Sequence, residues 1–271
     1  MKKIDLHTHT IASDGSFTPQ ELVKAAVEQG LAAVAITDHD SLAGVQPALE
    51  IGKELEIEVV PGIELTTYYQ GQRIDILGYY IDLDSPQLNE VLDKLQRARE
   101  VRAKQILAKL ANLDVELDFK RLKKIAGDTG VGRPHIARLM VEDEYVTDMQ
   151  TAFDDYLEDG GPAYVPKYQL TPSEAVKLLK QAGGIPVLAH PGVIDNRELV
   201  IELLEQEDFA GIEAYYSQHN QAETDYYLQL ATEYDLLVTG GSDCHGPANE
   251  DKYLLGRVDV PYKLLEQLKK G

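Results

Sequence analysis

Seven short apolar runs, most of them ending in a side chain able to do chemistry, restrict the fold of this chain more than any other feature. They are Ile4–Leu6 before His7, Ala33–Ile36 before Asp38-His39-Asp40, Val59–Ile63 before Glu64, and Ile74–Leu77 around Asp75. Ile185–Ala189 before His190, Gly211–Ala214 before Tyr215, and Leu236–Thr239 before Asp243 complete the series. Short, nearly continuous apolar runs suit parallel strands buried on both faces.

Helical punctuation falls between several of the runs. Thr18-Pro19-Gln20-Glu21 combines an N-cap, a first-turn proline and a capping-box glutamate, and its helix is expected to reach about Gly30. Thr171-Pro172-Ser173-Glu174 repeats that start, with Gly183-Gly184 as the stop. Strand and helix alternate as in βαβ units, and α/β barrels place their chemistry at strand C-termini. The expected fold is therefore α/β, a seven-stranded or otherwise distorted barrel.

Residues 85–167 break the alternation. Ser85-Pro86 opens a long charged helix through Asn112, followed by helical stretches at Phe119–Ala126, Pro134–Val141 and Thr147–Leu157, with no strand among them. The expected organisation is a barrel from residues 1–84 and 168–271, with 85–167 as a helical insertion over its mouth that contributes to substrate binding.

Composition narrows the function. A formal net charge of −20 repels long polyanions and argues against binding to long duplex nucleic acid, but not against a small phosphorylated substrate. The single cysteine, Cys244, rules out an intrachain disulfide and a thiolate zinc site. Charge near Met1 and the lack of any long apolar run lead to the expectation of a cytoplasmic protein without membrane association.

The polar strand ends have a common chemistry. Residues two apart in extended chain point the same way, so His7 and His9 face one metal together, as do Asp243 and His245. Five of the seven histidines (His7, His9, His39, His190 and His245) end expected strands, where chance would scatter several onto helix faces. Glu64 has two oxygens with which to bridge two ions. Asp14 is either an ordinary turn residue of Ser13-Asp14-Gly15-Ser16 or a ligand beside His9. Asp75, a carboxylate in a strand-like run, needs a partner that a metal would supply. Imidazole and carboxylate together suit Zn, Mn, Fe or similar divalent ions.

The ordered set His7-Thr8-His9, Ser13-Asp14-Gly15, Thr37-Asp38-His39-Asp40, Gly62-Ile63-Glu64, Ala189-His190-Pro191 and Gly241-Ser242-Asp243-Cys244-His245 resembles the polymerase-and-histidinol-phosphatase (PHP) domain family. That resemblance implies a distorted (β/α)7 barrel with two or three divalent metals. It also implies a ligand partition: His7, His9, Glu64 and Asp243 on one ion, Glu64, Asp75 and His190 on a second, Asp14, His39 and His245 on a third. Asp75 stands where many relatives have histidine, and Asp14 where some do. Carboxylates at both positions favour Mn²⁺ or Fe²⁺, with Zn²⁺ the softer option.

Adjacent cations activate water, orient a phosphate and offset the charge of in-line attack, and a phosphate ester is a substrate on which all three effects act. His219 is a candidate general acid, with a solvent-facing loop histidine as the alternative, and Asp40 a candidate support behind the ligands. Arg133 and His135, at a helix start, suit an anion, unless Arg133 simply pairs with Glu142 or Asp143. Lys167 is a weaker candidate. The insertion resembles that of the nucleoside 3′,5′-bisphosphate phosphatase branch, which implies a small nucleotide phosphomonoester or a short 5′-phosphorylated oligoribonucleotide as substrate. The alternatives are a histidinol or general sugar phosphatase and a non-catalytic metal-binding regulatory domain.

Overall fold

The computed structural model describes residues 2–127, 131–166, 168–247 and 254–270. It divides into two compact units, Met1–Asn89 with Gln169–Gly271, and Glu90–Tyr168.

The first unit is a mixed α/β barrel. Its strands are β1 (Lys3–Asp5), β2 (Leu31–Ile36), β3 (Glu58–Tyr69), β4 (Gln72–Tyr79), β5 (Ile185–Leu188), β6 (Gly211–Tyr216), β7 (Leu237–Gly241) and a short β8 (Val260–Pro261), in the spatial order β7-β6-β5-β4-β3-β2-β1-β8. β8 pairs antiparallel with Lys3 and Ile4. Further along β1, Leu6 N–H donates to Gly240 O at 3.1 Å and Asp243 N–H to His7 O at 2.9 Å, so the seven long-range strands come round to meet. That approach requires a glycine at 241, because a Cβ there would lie 2.4 Å from the backbone nitrogen of His7.

Two-residue periodicity sorts the side chains. On β2, Ala33 and Ala35 face the barrel interior with Ile4, Leu6, Val60, Leu77, Tyr79 and Val187. Val34 and Ile36 face outward against α1 (Pro19–Glu28) and α2 (Val45–Glu54). The interior is narrow where small residues line it, and Leu264, Leu265 and Leu268 of the terminal helix pack into the same core. Removing a side chain such as fully buried Leu265 would cost about 2–5 kcal/mol.

The helix ends follow their caps. Thr18 and Thr171 both close capping boxes, with Glu21 and Glu174 respectively, and their helices end at Glu28 and Gln181 just before Gly30 and Gly183 in left-handed conformation.

The sheet departs from uniform parallel order. β4 is antiparallel to both β3 and β5. Gln70 and Gly71, both at positive φ (49° and 81°), link β3 to β4. Two such residues make a hairpin, whereas a parallel return needs a crossover of about a dozen residues. Glu64 consequently sits within a twelve-residue strand, opposite Leu77, and does not end one.

The second unit is helical among its described residues. The long α3 (Pro86–Ala111) enters it, followed by α4 (Phe119–Ala126), α5 (Arg133–Glu142), α6 (Met149–Ala152) and a π-helical turn at Phe153–Leu157. Ile106, Leu110, Leu122, Ile136, Leu139, Met140 and Leu157 form its own apolar core. The barrel is completed by α7 (Pro172–Gln181), α8 (Arg197–Gln206), α9 (Gln221–Glu233) and α10 (Tyr262–Leu268). No helix among the described residues is long and apolar enough to cross a membrane.

Candidate metal centre

At one end of the barrel, the nine side chains expected as ligands come together, with Glu64 among them contacting four of the histidines. His7 and His9 leave the end of β1 side by side, and each Nε2 lies 3.3 Å from Glu64 Oε2. His39 Nδ1 is 3.1 Å from the same oxygen, while His190 Nε2 lies 3.0 Å from Oε1. Asp243 Oδ1 is 3.0 Å from His9 Nε2 and 3.5 Å from His7 Nε2. Asp14 Oδ1 is 3.2 Å from His245 Nε2, and Asp75 Oδ2 is 3.9 Å from His190 Nε2.

Donor atoms close enough to share an ion form four overlapping groups. They are His9, Asp14, His39 and His245; His7, Glu64 and His190; His7, His9 and Asp243; and His39, Glu64 and Asp75. The grouping differs in detail from the expected partition, since His9 also joins the Asp14 group and His39 also faces Glu64 and Asp75.

The buried donors supply a test of whether cations fit. His7 Nε2, His9 Nδ1, His9 Nε2, His39 Nδ1 and Glu64 Oε2 are all buried without a hydrogen-bond partner. Each such atom costs about 1–3 kcal/mol if nothing satisfies it; four of the five face Glu64 or lie on it and His9 Nδ1 faces Asp14, positions that divalent cations would satisfy. The donor set fits.

Electrostatics reinforce the convergence. Burial would raise the Glu64 carboxyl, but His39, His7 and the hydrogen-bonded His190 hold it well below the usual range. Burial and the Glu64 charge push Asp75 up to about 6, against the pull of Arg73 and His190. Desolvation takes His39 down to about 4, partly countered by Glu64.

A surrounding layer of polar residues orients the donors. Glu213, fully buried in β6, accepts from His7 Nδ1 at 3.0 Å and from the His190 backbone N–H at 2.8 Å. The first bond fixes which nitrogen of His7 faces the cluster. Tyr216 Oη donates to Asp243 Oδ2 at 2.9 Å. Asp38 accepts from Thr10 N–H, Thr10 Oγ1 and Ser13 Oγ, which sets the loop carrying Asp14. Asp40, expected behind the ligands, supports Glu64 through the backbone: its N–H donates to Glu64 O and its Oδ1 accepts from Thr66 N–H. Asp40, His190 and Asp243 all have positive φ, a strain of about 1–3 kcal/mol each that the surrounding contacts hold in place.

The sequence assigns no supporting role to Glu213, Tyr216 or Asp38, although Asp38 falls within the Thr37-Asp38-His39-Asp40 motif. A glutamate inside the apolar run Gly211–Ala214 was the one available signal for Glu213. No local pattern marks Arg73, whose Nε donates to Asp75 and whose Nη2 lies 3.1 Å from His39 Nε2.

His219 is not free for the acid role expected of it. Its Nδ1 donates to Ala214 O at 3.0 Å and its Nε2 accepts from Gly192 N–H at 3.1 Å, which leaves no ring N–H for a leaving group. Within the helical unit, Arg133 Nη1 donates to Leu157 O and to Asp159 Oδ1, and the guanidinium lies 5.9 and 5.7 Å from the Phe153 and Tyr164 ring centres. The alternative of a pair with Glu142 or Asp143 does not form; those carboxylates pair with Arg138 and Arg121. His135 Nδ1 accepts from Gly132 N–H, capping α5. Lys167 lies outside the described residues.

A barrel with a cation-ready His, Asp and Glu cluster at one end defines a class, the metal-dependent hydrolases. The PHP domain family matches residues 5–166, and the chain belongs to that family. It is 34% identical over 250 residues to the 5′-3′ exoribonuclease Rnm of Escherichia coli, spanning 90% of this chain and 85% of the relative. It is 30% identical to a phosphoribosyl 1,2-cyclic phosphate 1,2-diphosphodiesterase of Eggerthella lenta, over 89% of this chain and 94% of that one. A 3′,5′-nucleoside bisphosphate phosphatase of Chromobacterium violaceum is 31% identical over 96% and 93% of the two chains. A crystal structure from Bifidobacterium adolescentis, described as a metal-dependent phosphoesterase, superposes with a TM-score of 0.77 at 28% identity, over 98% and 95%.

Proposed function

We propose that this phosphoesterase removes a phosphate from a small nucleotide, a nucleoside 3′,5′-bisphosphate, and trims short 5′-phosphorylated oligoribonucleotides in the same centre. The convergence of buried, unsatisfied donor atoms on Glu64 carries the reading. His7, His9, Asp14, His39, Glu64, Asp75, His190, Asp243 and His245 would hold two or three divalent ions. Asp14 and Asp75 tilt the set toward Mn²⁺ or Fe²⁺ over Zn²⁺.

Such ions supply activation of water and neutralisation of phosphoryl charge. The chain's own groups do the rest. Glu213 and Tyr216 orient His7 and Asp243, and Glu64 offers one oxygen to each side of the cluster. Arg133 and His135 of the helical unit are our candidates for phosphate recognition. The Arg133 bond to Asp159 supports this role: that carboxylate is 74% exposed, so the pair is weak enough to exchange for a phosphate.

The test is metal analysis followed by turnover of the Mn-loaded protein. The substrates are a nucleoside 3′,5′-bisphosphate, 5′-phosphorylated short RNA, a ribosyl 1,2-cyclic phosphate, histidinol phosphate and an aryl phosphate. Preference for the first two supports the reading. Efficient turnover confined to the others would overturn it.

A further inference from the structure

An arginine, Arg73, lies at the edge of the cluster beside Asp75 and His39. β4 begins at the barrel's cluster end and places alternate side chains inward. Tyr79 and Leu77 occupy the interior core, and Asp75 and Arg73 continue the same row toward the mouth. Arg73 Nε lies 2.9 Å from Asp75 Oδ1 and 2.8 Å from Oδ2. Its Nη2 is 3.1 Å from Nε2 of His39. Among the described residues, Arg73 is the one lysine or arginine ion-paired with any of the nine candidate ligands.

Its placement is that of an anchored cation with a free edge. The carboxylate holds the Nε side, yet 48% of the side chain stays exposed. A guanidinium fixed in this way presents the remaining N–H groups in a planar fork suited to two phosphate oxygens. The barrel unit around it contains 31 acidic and 13 basic residues, so its net charge opposes an incoming phosphate, and a cation beside the cluster offsets that repulsion locally.

We propose that Arg73 binds the reacting phosphoryl group, with Asp75 as its anchor and its Nη edge donating to two phosphate oxygens. On arrival of substrate, Nη2 exchanges its contact with His39 for an oxygen, which also frees His39 Nε2. The inference rests on the ligand reading given under the proposed function. A purely supportive role, in which Arg73 only positions Asp75, makes a different prediction.

The experiment compares the parent with Arg73→Ala, Arg73→Gln and Arg73→Lys, each exposed to Mn²⁺. Bound Mn is measured by metal analysis, affinity for inorganic phosphate by calorimetry, and KM separately from kcat. The expected result is unchanged Mn content in all variants. Phosphate affinity should fall about 10- to 100-fold in both Arg73→Ala and Arg73→Gln, as for a lost charge-assisted pair, and recover partly in Arg73→Lys. Parent-like phosphate affinity in Arg73→Gln, or loss of phosphate affinity only in proportion to lost Mn, would overturn the proposal. If the parent itself takes up no Mn, the ligand reading falls. The comparison of phosphate affinity between parent and Arg73→Gln would still decide the role of Arg73.

Discussion

The two units treat charge in opposite ways. The barrel unit carries 31 acidic against 13 basic residues, a net −18, whereas the helical unit carries 15 against 13, a net −2. In the barrel the decisive charges are buried and converge, and five of their donor atoms have no hydrogen-bond partner. In the helical unit the cations are paired on its surface: Arg121 with Asp143, Lys123 with Glu100, Arg138 with Glu142 and Arg133 with Asp159. Unsatisfied buried charge is costly and persists where a ligand repays it. Exposed pairs cost little and exchange readily. The buried, convergent donors that suit metal chemistry therefore belong to the barrel, and the helical unit carries exchangeable surface pairs.

This contrast can be broken most severely at Glu64. Glu64→Gln neutralises the carboxylate that His7, His9, His39 and His190 all face. Turnover should fall by more than about 10³-fold, beyond the 10²–10³ of a single lost electrostatic contact, with metal content falling in parallel. Retained activity with full metal content would remove Glu64 from the centre.

Glu213→Gln tests the layer behind the ligands. The variant should keep its fold by circular dichroism while metal affinity, measured by competition with a chelator, weakens about 10- to 100-fold. An unchanged affinity would mean that β6 positions His7 and His190 without this carboxylate.

Arg133→Ala probes the helical unit. If that unit discriminates, KM for a nucleoside bisphosphate should rise about 10-fold, the worth of one charged hydrogen bond, with little change for an aryl phosphate. Equal effects on both substrates would assign Arg133 to packing against Phe153 and Tyr164.

The smallest expected effect is on pH dependence. Burial, with the nearby Arg138 charge, lowers the pKa of His135 below its ordinary 6.5. The unfolded chain therefore takes up the proton first. The His135 contribution to stability is complete above about pH 6.5 and is lost as pH falls through and below that value. Urea unfolding of the parent should weaken slightly more between pH 7 and 5 than that of His135→Gln. Identical slopes would show that folding leaves the proton affinity of His135 unchanged.

Particular residues show how far sequence reading reaches. Thr18 with Glu21 and Thr171 with Glu174 announce their helices because a capping box involves four consecutive residues. His7 and His9, or Asp243 and His245, can be paired on paper because strand geometry sends alternate side chains one way. Arg133 shows the limit: nothing local distinguishes Asp159, 26 residues away, from Glu142 or Asp143 as its partner. His219 shows it again, since only the fold brings Gly192 N–H onto its Nε2.

The sequence alone determined the α/β alternation, the helical interruption and the residue types gathered at the strand ends, because each depends on periodicity or on caps a few residues long. Tertiary structure decided the reversed direction of β4, the central position of Glu64 within β3 and the orientation of His7 by Glu213, 206 residues distant. It also decided that Arg73 would stand between Asp75 and His39. These depend on which strands become neighbours when the barrel closes, and no local pattern encodes that contact.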